Sequence, residues 1–203
     1  MFSVASFFAG VGGIDLGFEK TGKFCTVYAN EFDPYASETF EMNYPLVKVD
    51  QRDIHAVPVE EVPKTDVIIG GFPCQAFSIA GYRQGFEDKK GRGELFFELM
   101  RMVEAKTPRV ALFENVKNLV GHDNGNTFRV ICEQLDLLGY HYTYQVLNAM
   151  NYGNMAQNRE RIYIVAFKEE KDFNKFHWPL PIPLTTTVKD IIDFDKKVED
   201  KYY

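Results

Sequence analysis

The sequence predicts an α/β fold in which a mostly parallel sheet carries helices on both faces. Short runs of β-branched and aromatic residues alternate with stretches of helical periodicity along most of the chain, as a series of βαβ units requires. The first of those runs leads into a glycine-rich turn and then a helix, the opening of such a unit. The chain has 203 residues, 45% hydrophobic and 15% aromatic, which suffices for the core of one ordinary domain and is too short for two large ones.

Strands are expected at 4–8, 26–30, 47–50, 67–71, 110–114, 142–147 and 162–167. A helix is expected at 14–20, directly after the glycine turn. The clearest helix is 127–138, where Val130, Ile131, Leu135 and Leu138 recur at helical spacing and Gly139 stands where a left-handed cap would close it. Another spans 94–106 and stops ahead of Pro108. Two stretches break the rhythm. Residues 79–93 hold Gly81, Gly85, Gly91 and Gly93 with Arg83, Lys89, Lys90 and Arg92 among acids, a polar loop of a length that is usually functional or disordered. From Pro179 to Pro183 prolines end the pattern, and the tail after Thr187 is charged and poor in core residues. No internal repeat or low-complexity tract is present.

Several classes are set aside. No apolar run is long enough to cross a bilayer and the start lacks the basic region of a secretory signal, so a cytoplasmic protein is expected. Cys25, Cys74 and Cys132 are odd in number and widely spaced, which argues against a disulfide framework or a zinc site and for free thiols. Cys25, opening a strand, and Cys132, within a helix, are expected to be buried packing residues. The net charge of -6 is a poor match to gripping a phosphate backbone, so any basic surface is local or belongs to another part of the protein.

The turn Phe8-Ala9-Gly10-Val11-Gly12-Gly13 lets a ligand approach the backbone, and the helix behind it offers unpaired N–H donors. Glu31 ends the second strand, where a carboxylate can accept hydrogen bonds from both ribose hydroxyls, and Asp53 follows the third strand at the same edge. A tight turn beside a solvated acid is the plainer reading. Gly13 directly after Gly12 departs from the dinucleotide fingerprint, so adenosine without a pyrophosphate fits at least as well as NAD.

Gly70-Gly71-Phe72-Pro73-Cys74-Gln75 follows the fourth strand and places Cys74 at the carboxyl edge of the sheet, where ligands bind. Glycines and a proline suit exposing a thiol at a fixed angle better than packing it. One strand later Glu114-Asn115-Val116 leaves an apolar run at the same edge; a carboxyl there could hold or deliver a proton, or simply cap a helix. In Gln157-Asn158-Arg159-Glu160-Arg161, two arginines at alternate positions point the same way. They could bind a base carbonyl, grip a phosphate, hold Glu114, or form a surface charge patch.

Taken in order with Gly91-Arg92-Gly93-Glu94-Leu95-Phe96-Phe97, these segments resemble the ordered motifs of the cytosine-5 DNA methyltransferase family, from Phe2 to about Phe167. Thr187-Val188-Lys189-Asp190-Ile191-Ile192 is similar to the family segment that follows the catalytic region. The resemblance implies a Rossmann-like S-adenosylmethionine-dependent methyltransferase fold over 1–178, with 179–203 the start of a linker or next segment and the target-recognition region absent. It implies Cys74, Glu114, Arg159 and Arg161 as catalytic. Phe8, Gly10, Gly12, Gly13, Glu31, Phe32, Asp53, Ile54 and Leu95 would bind S-adenosylmethionine, with Phe32 on the adenine and Glu31 on the ribose. Gln75, Ser78, Arg83 and Arg92 would contact double-stranded DNA, and loop 79–93 would close over a flipped base. No metal or membrane is implied. A fragment, or one subunit of a split enzyme whose second polypeptide brings the recognition region, is expected, weak or inactive alone with its cofactor pocket open on one side. A transfer RNA cytosine-5 methyltransferase and a non-catalytic binding or regulatory module of the same fold are the competing readings.

Overall fold

Side chains alternate along the strands, and that alternation decides which helix covers which face of the sheet. The computed structural model describes residues 1–73, 94–194 and 196–197. Strands β1 (Phe2–Phe7), β2 (Phe24–Asn30), β3 (Val49–Asp50), β4 (Val67–Gly70), β5 (Val110–Val116), β6 (His141–Asn148) and β7 (Glu160–Phe167) form one sheet in the order β3-β2-β1-β4-β5-β7-β6. Pairing is parallel from β3 to β5, and β7 runs antiparallel to both β5 and β6. The helices are α1 (Gly13–Glu19), α2 (Pro34–Asn43), α3 (Glu94–Lys106), α4 (Asn126–Leu137), α5 (Ala149–Tyr152) and α6 (Glu170–Phe173). Each expected strand is present, with no end displaced by more than two residues.

Val4, Val67 and Ile69 point to one face, where Ile14 and Phe18 of α1 cover them together with Phe24 and Leu112. Ala5, Phe7, Ile68, Ala111, Phe113 and Ile164 point to the other. There α3 brings Phe96, Leu99, Met102 and Val103, and α4 brings Phe128, Ile131 and Leu135. Full burial of each such side chain contributes about 1.5–3 kcal/mol, so this second face holds most of the core. Gly70 lies so close to α3 that a Cβ there would stand 2.5 Å from Leu99. Helix α4 ends as expected: Gly139 takes a φ of 69°, and the Gly139 and Tyr140 N–H groups donate back to Asp136 (2.9 Å) and Leu135 (3.0 Å).

Three features differ from expectation. Phe8, expected to end the first strand, has a φ of 53° and leaves the sheet. Helix α2 was not evident from periodicity because it buries only Ser37 and Phe40; its start is instead set by Asp33, whose carboxylate accepts the Tyr35 and Ala36 N–H groups at 2.9 Å, and by Pro34 in its first turn. Cys25 is exposed rather than buried, because β3 pairs only with Ala29 and Asn30 and leaves the start of β2 as a sheet edge. Cys132 is half-buried on α4, and burial pushes its thiol up. Among the described residues, no helix is long and apolar enough to cross a membrane.

Candidate active site

Left-handed backbone recurs where β1 meets α1: Phe8, Gly10 and Gly12 have φ of 53°, 55° and 85°, a conformation costly for most side chains. At Gly12 a second constraint operates. A Cβ there would run into the rings of Tyr44 and Phe40 on the α2 side, and the Tyr44 hydroxyl donates to the Gly12 carbonyl at 2.8 Å. Helix α2 therefore packs directly on the turn and holds it from behind.

Glu31, at the end of β2, closes the turn from the front. Its Oε2 accepts the Gly10 N–H at 2.8 Å and its Oε1 accepts the Asp33 N–H at 2.9 Å. Beside it Phe32 is 69% exposed. The Asn30 amide donates to the carbonyls of Asp50 and Arg52, each at 2.9 Å, and so ties the end of β2 to the segment leading to Asp53. Asp53 Oδ1 accepts the His55 N–H at 3.0 Å and lies 2.5 Å from His55 Nδ1; these contacts hold its carboxyl below the usual range. Ile54 is a core side chain, 3% exposed, and Leu95 is half-buried at the start of α3. Acceptors following adjacent strands, with an exposed aromatic residue next to the first of them in the chain, suit a nucleoside, whose hydroxyls and exocyclic amine donate and whose base stacks.

Beneath the turn lies a carboxyl group for which the sequence reading had no role. Asp15 of α1 is 1% exposed, and it accepts hydrogen bonds from Ser6 Oγ of β1 and Thr26 Oγ1 of β2, both at 3.0 Å. Burial pushes its carboxyl up, against the hydrogen bonds. One side chain thus joins the helix after the glycine turn to the two strands before and behind it.

The antiparallel pairing of β5 with β7 sets Glu114 opposite Tyr163 and Val116 opposite Arg161. Arg161 Nε lies 3.0 Å and Arg159 Nη2 3.9 Å from the same oxygen, Glu114 Oε1, and the Glu114 side chain is 19% exposed. Of the roles left open for the two arginines, holding Glu114 is the one present. Gly71 separates this group from the glycine turn: a Cβ there would meet Glu114 Oε2 at 3.7 Å and the Phe8 carbonyl at 3.9 Å. The chain heading for Cys74 therefore runs between the carboxylate and the turn. It is also tethered, since the Asn115 amide donates to the Phe72 carbonyl at 2.8 Å in a buried contact. Cys74, Gln75, Ser78, Arg83 and Arg92, and the expected loop 79–93, lie outside the described residues.

A cavity of about 590 Å³ runs from Glu114 along α1, with Gly13, Ile14, Phe18, Leu112 and Tyr163 among its walls. Gly13 thus faces the carboxylate side, and burial pushes the Tyr163 phenol up. Sequence reasoning gave Asn115, Gly71 and Tyr44 no individual roles. The first carried a signal, an amide directly after a carboxylate at the end of an apolar strand; Tyr44 carried none, because only the fold brings it to Gly12.

The family model for the C-5 cytosine-specific DNA methylase matches residues 2–203. The type II methyltransferase M.Bsp6I of a Bacillus species is 56% identical over 100% of this chain and 64% of its own length. The type II methyltransferase M.HhaI of Haemophilus parahaemolyticus is 45% identical over 95% of this chain and 57% of its own. The chain thus spans less than two thirds of the length of these relatives. A crystal structure of a Spodoptera frugiperda DNMT2 mutant superposes with a TM-score of 0.74 over 99% of this chain and 62% of that one, at 21% identity, a likeness of fold. The sheet order and these matches are those of a Rossmann-like methyltransferase fold, and the chain belongs to the C-5 cytosine-specific DNA methylase family.

Proposed function

We propose that these residues bind S-adenosylmethionine and transfer its methyl group to carbon 5 of cytosine in DNA through a covalent adduct at Cys74. The observation that supports this best is the convergence of Phe8, Gly71 and Glu114, which brings the glycine turn, the approach to Cys74 and an ion-paired carboxylate to one strand edge. S-adenosylmethionine supplies an electrophilic sulfonium methyl. Glu31 accepts from the ribose hydroxyls, Phe32 stacks on adenine, and Asp53 accepts from the exocyclic amine. Leu95, the edge of Ile54 and the backbone of Gly10, Gly12 and Gly13 complete the pocket.

Carbon 5 of cytosine is too weakly nucleophilic to react unaided. The Cys74 thiolate forms a bond to carbon 6 while Glu114 holds or delivers a proton at ring nitrogen 3, and the electron pair displaced from the 5,6 double bond makes carbon 5 nucleophilic. After carbon 5 has gained the methyl group, a base removes its proton and the carbon–sulfur bond breaks, which restores the aromatic ring and the thiolate. Arg161 and Arg159 keep Glu114 in register with the base. The base must be flipped from the duplex, and Gln75, Ser78, Arg83 and Arg92 contact the DNA around it. We place the target-recognition surface in the relatives' additional length, whether in the same or a second polypeptide; the charge of -6 fits a chain that does not hold DNA unaided.

Duplex DNA carrying 5-fluorocytosine tests the chemistry, because fluorine cannot leave as a proton and the adduct persists. With S-adenosylmethionine present, the chain should form a denaturant-stable adduct that maps to Cys74, and Cys74→Ser should form none. An adduct elsewhere, or none with the unaltered chain, overturns the covalent step. Methyl transfer to duplex DNA by the 203-residue chain alone should be weak, and efficient sequence-specific turnover would contradict the assignment of recognition to other residues.

A further inference from the structure

The turn that carries Asp53 and Ile54 packs on helix α3 and is hydrogen-bonded to it through Arg101. Arg101 Nη2 donates to the carbonyls of Ile54 at 3.0 Å and Val57 at 3.1 Å. Its Nε donates to Glu98 at 2.7 Å, one helical turn earlier. Within the turn, the Ala56 and Val57 N–H groups close back on the carbonyls of Asp53 (2.8 Å) and Ile54 (3.2 Å). The Ile54 and Val57 side chains, 3% and 1% exposed, fix the inner side. The outer side presents Asp53, whose Oδ1 is taken by His55 and whose Oδ2 makes no hydrogen bond among the described residues. The forked, charged guanidinium can bind two carbonyls and a carboxylate at once, which an ammonium on a flexible stem does poorly.

We propose that Arg101 is a positioning residue for the adenine end of the cofactor site. Through the Ile54 and Val57 carbonyls it sets where Asp53 Oδ2 stands, and hence how well that oxygen meets the exocyclic amine of adenine. Because α3 also carries Leu95, the apolar wall and the polar reader of the base move as one body. The inference rests on the S-adenosylmethionine reading above, and its test separates the two.

S-adenosylhomocysteine and S-inosylhomocysteine differ at the group Asp53 would read: the second sets a carbonyl oxygen against the carboxylate. Calorimetric titration of both into the 203-residue chain should show a preference for adenine of about tenfold or more. Asp53→Ala should abolish it. Arg101→Met should cut the preference to within about threefold of that variant, and Arg101→Lys should lie between; the lysine variant carries the test if the methionine variant does not fold. A merely structural arginine would lower the melting temperature and both affinities together and leave their ratio untouched. A wild-type ratio in the Arg101 variants therefore overturns the positioning role alone. A chain that binds neither compound, or binds both equally before any substitution, overturns the cofactor reading and this inference with it.

Discussion

Asn115 donates its side-chain amide to the main-chain carbonyl of Phe72 at 2.8 Å, and its Oδ1 accepts the Val116 N–H at the same distance. The residue after the proposed acid thus grips the chain just ahead of the proposed nucleophile. Asn115→Ala removes this buried hydrogen bond to the Phe72 carbonyl, at a cost of about 0.5–1.5 kcal/mol in unfolding free energy. Single-turnover methyl transfer should fall by about 10–100-fold, since small displacements of a reacting group are expensive. Affinity for S-adenosylhomocysteine should not change, because Gly10, Glu31 and Asp53 do not touch this contact.

Arg161 and Arg159 share an oxygen of Glu114 unequally, at 3.0 and 3.9 Å, and the Arg159 side chain is the more exposed at 49% against 23%. Exposed pairs contribute about 0–1 kcal/mol, whereas removing one partner of a desolvated pair costs more. Arg161→Ala should therefore lower kcat more than Arg159→Ala, by about tenfold or more if the difference exceeds 1.4 kcal/mol. Arg161→Lys should restore little. Steady-state methylation by the three variants checks the order, and equal effects would contradict it.

Gly12→Ala should destabilise the fold by about 2–5 kcal/mol, from the left-handed backbone together with the collision with Tyr44. Thermal melts of Gly12→Ala and of Gly12→Ala combined with Tyr44→Ala separate the two causes. The second change should recover part of the steric loss relative to Tyr44→Ala alone, and the backbone part should remain.

Asp15 predicts a dependence on pH. Burial raises its carboxyl above the ordinary value of 3.8, so the folded state binds this proton more tightly than the unfolded chain does. The stabilisation is fully present below 3.8 and is lost as pH rises through the higher folded value. Asp15→Asn retains an acceptor and does not ionise. Denaturant unfolding from about pH 4 to pH 8 should show wild type losing ground to Asp15→Asn as pH rises, and a constant difference would contradict the burial argument.

Much of this was legible in the sequence because the signals were local. Strand positions followed from apolar runs, the end of α4 from Gly139, and the glycine turn and Glu31 from their order along the chain. What escaped depended on partners distant in sequence. Nothing at Tyr44 announces Gly12, and nothing at Arg101 announces the Ile54 carbonyl; each pairing exists only after the sheet order brings helix and turn together. Helix α2 escaped for another reason, since a helix that buries one large residue leaves almost no apolar period to detect. Cys25 was misjudged because burial in a strand depends on whether its neighbour extends far enough, which composition does not report.

The reversed direction of β7 has a further effect. The glycine turn, Glu31, Gly71 and Glu114 are delivered at or near where strands finish, but Arg159 and Arg161 arrive as β7 begins. A strand of eight residues is about 26 Å long, so the same segment threaded the opposite way would deposit both guanidinium groups on the far side of the sheet. Inverting a single strand thus supplies counter-charges to Glu114 from a stretch of chain that reaches the edge directly after β6 and α5, without a crossover helix to carry it there.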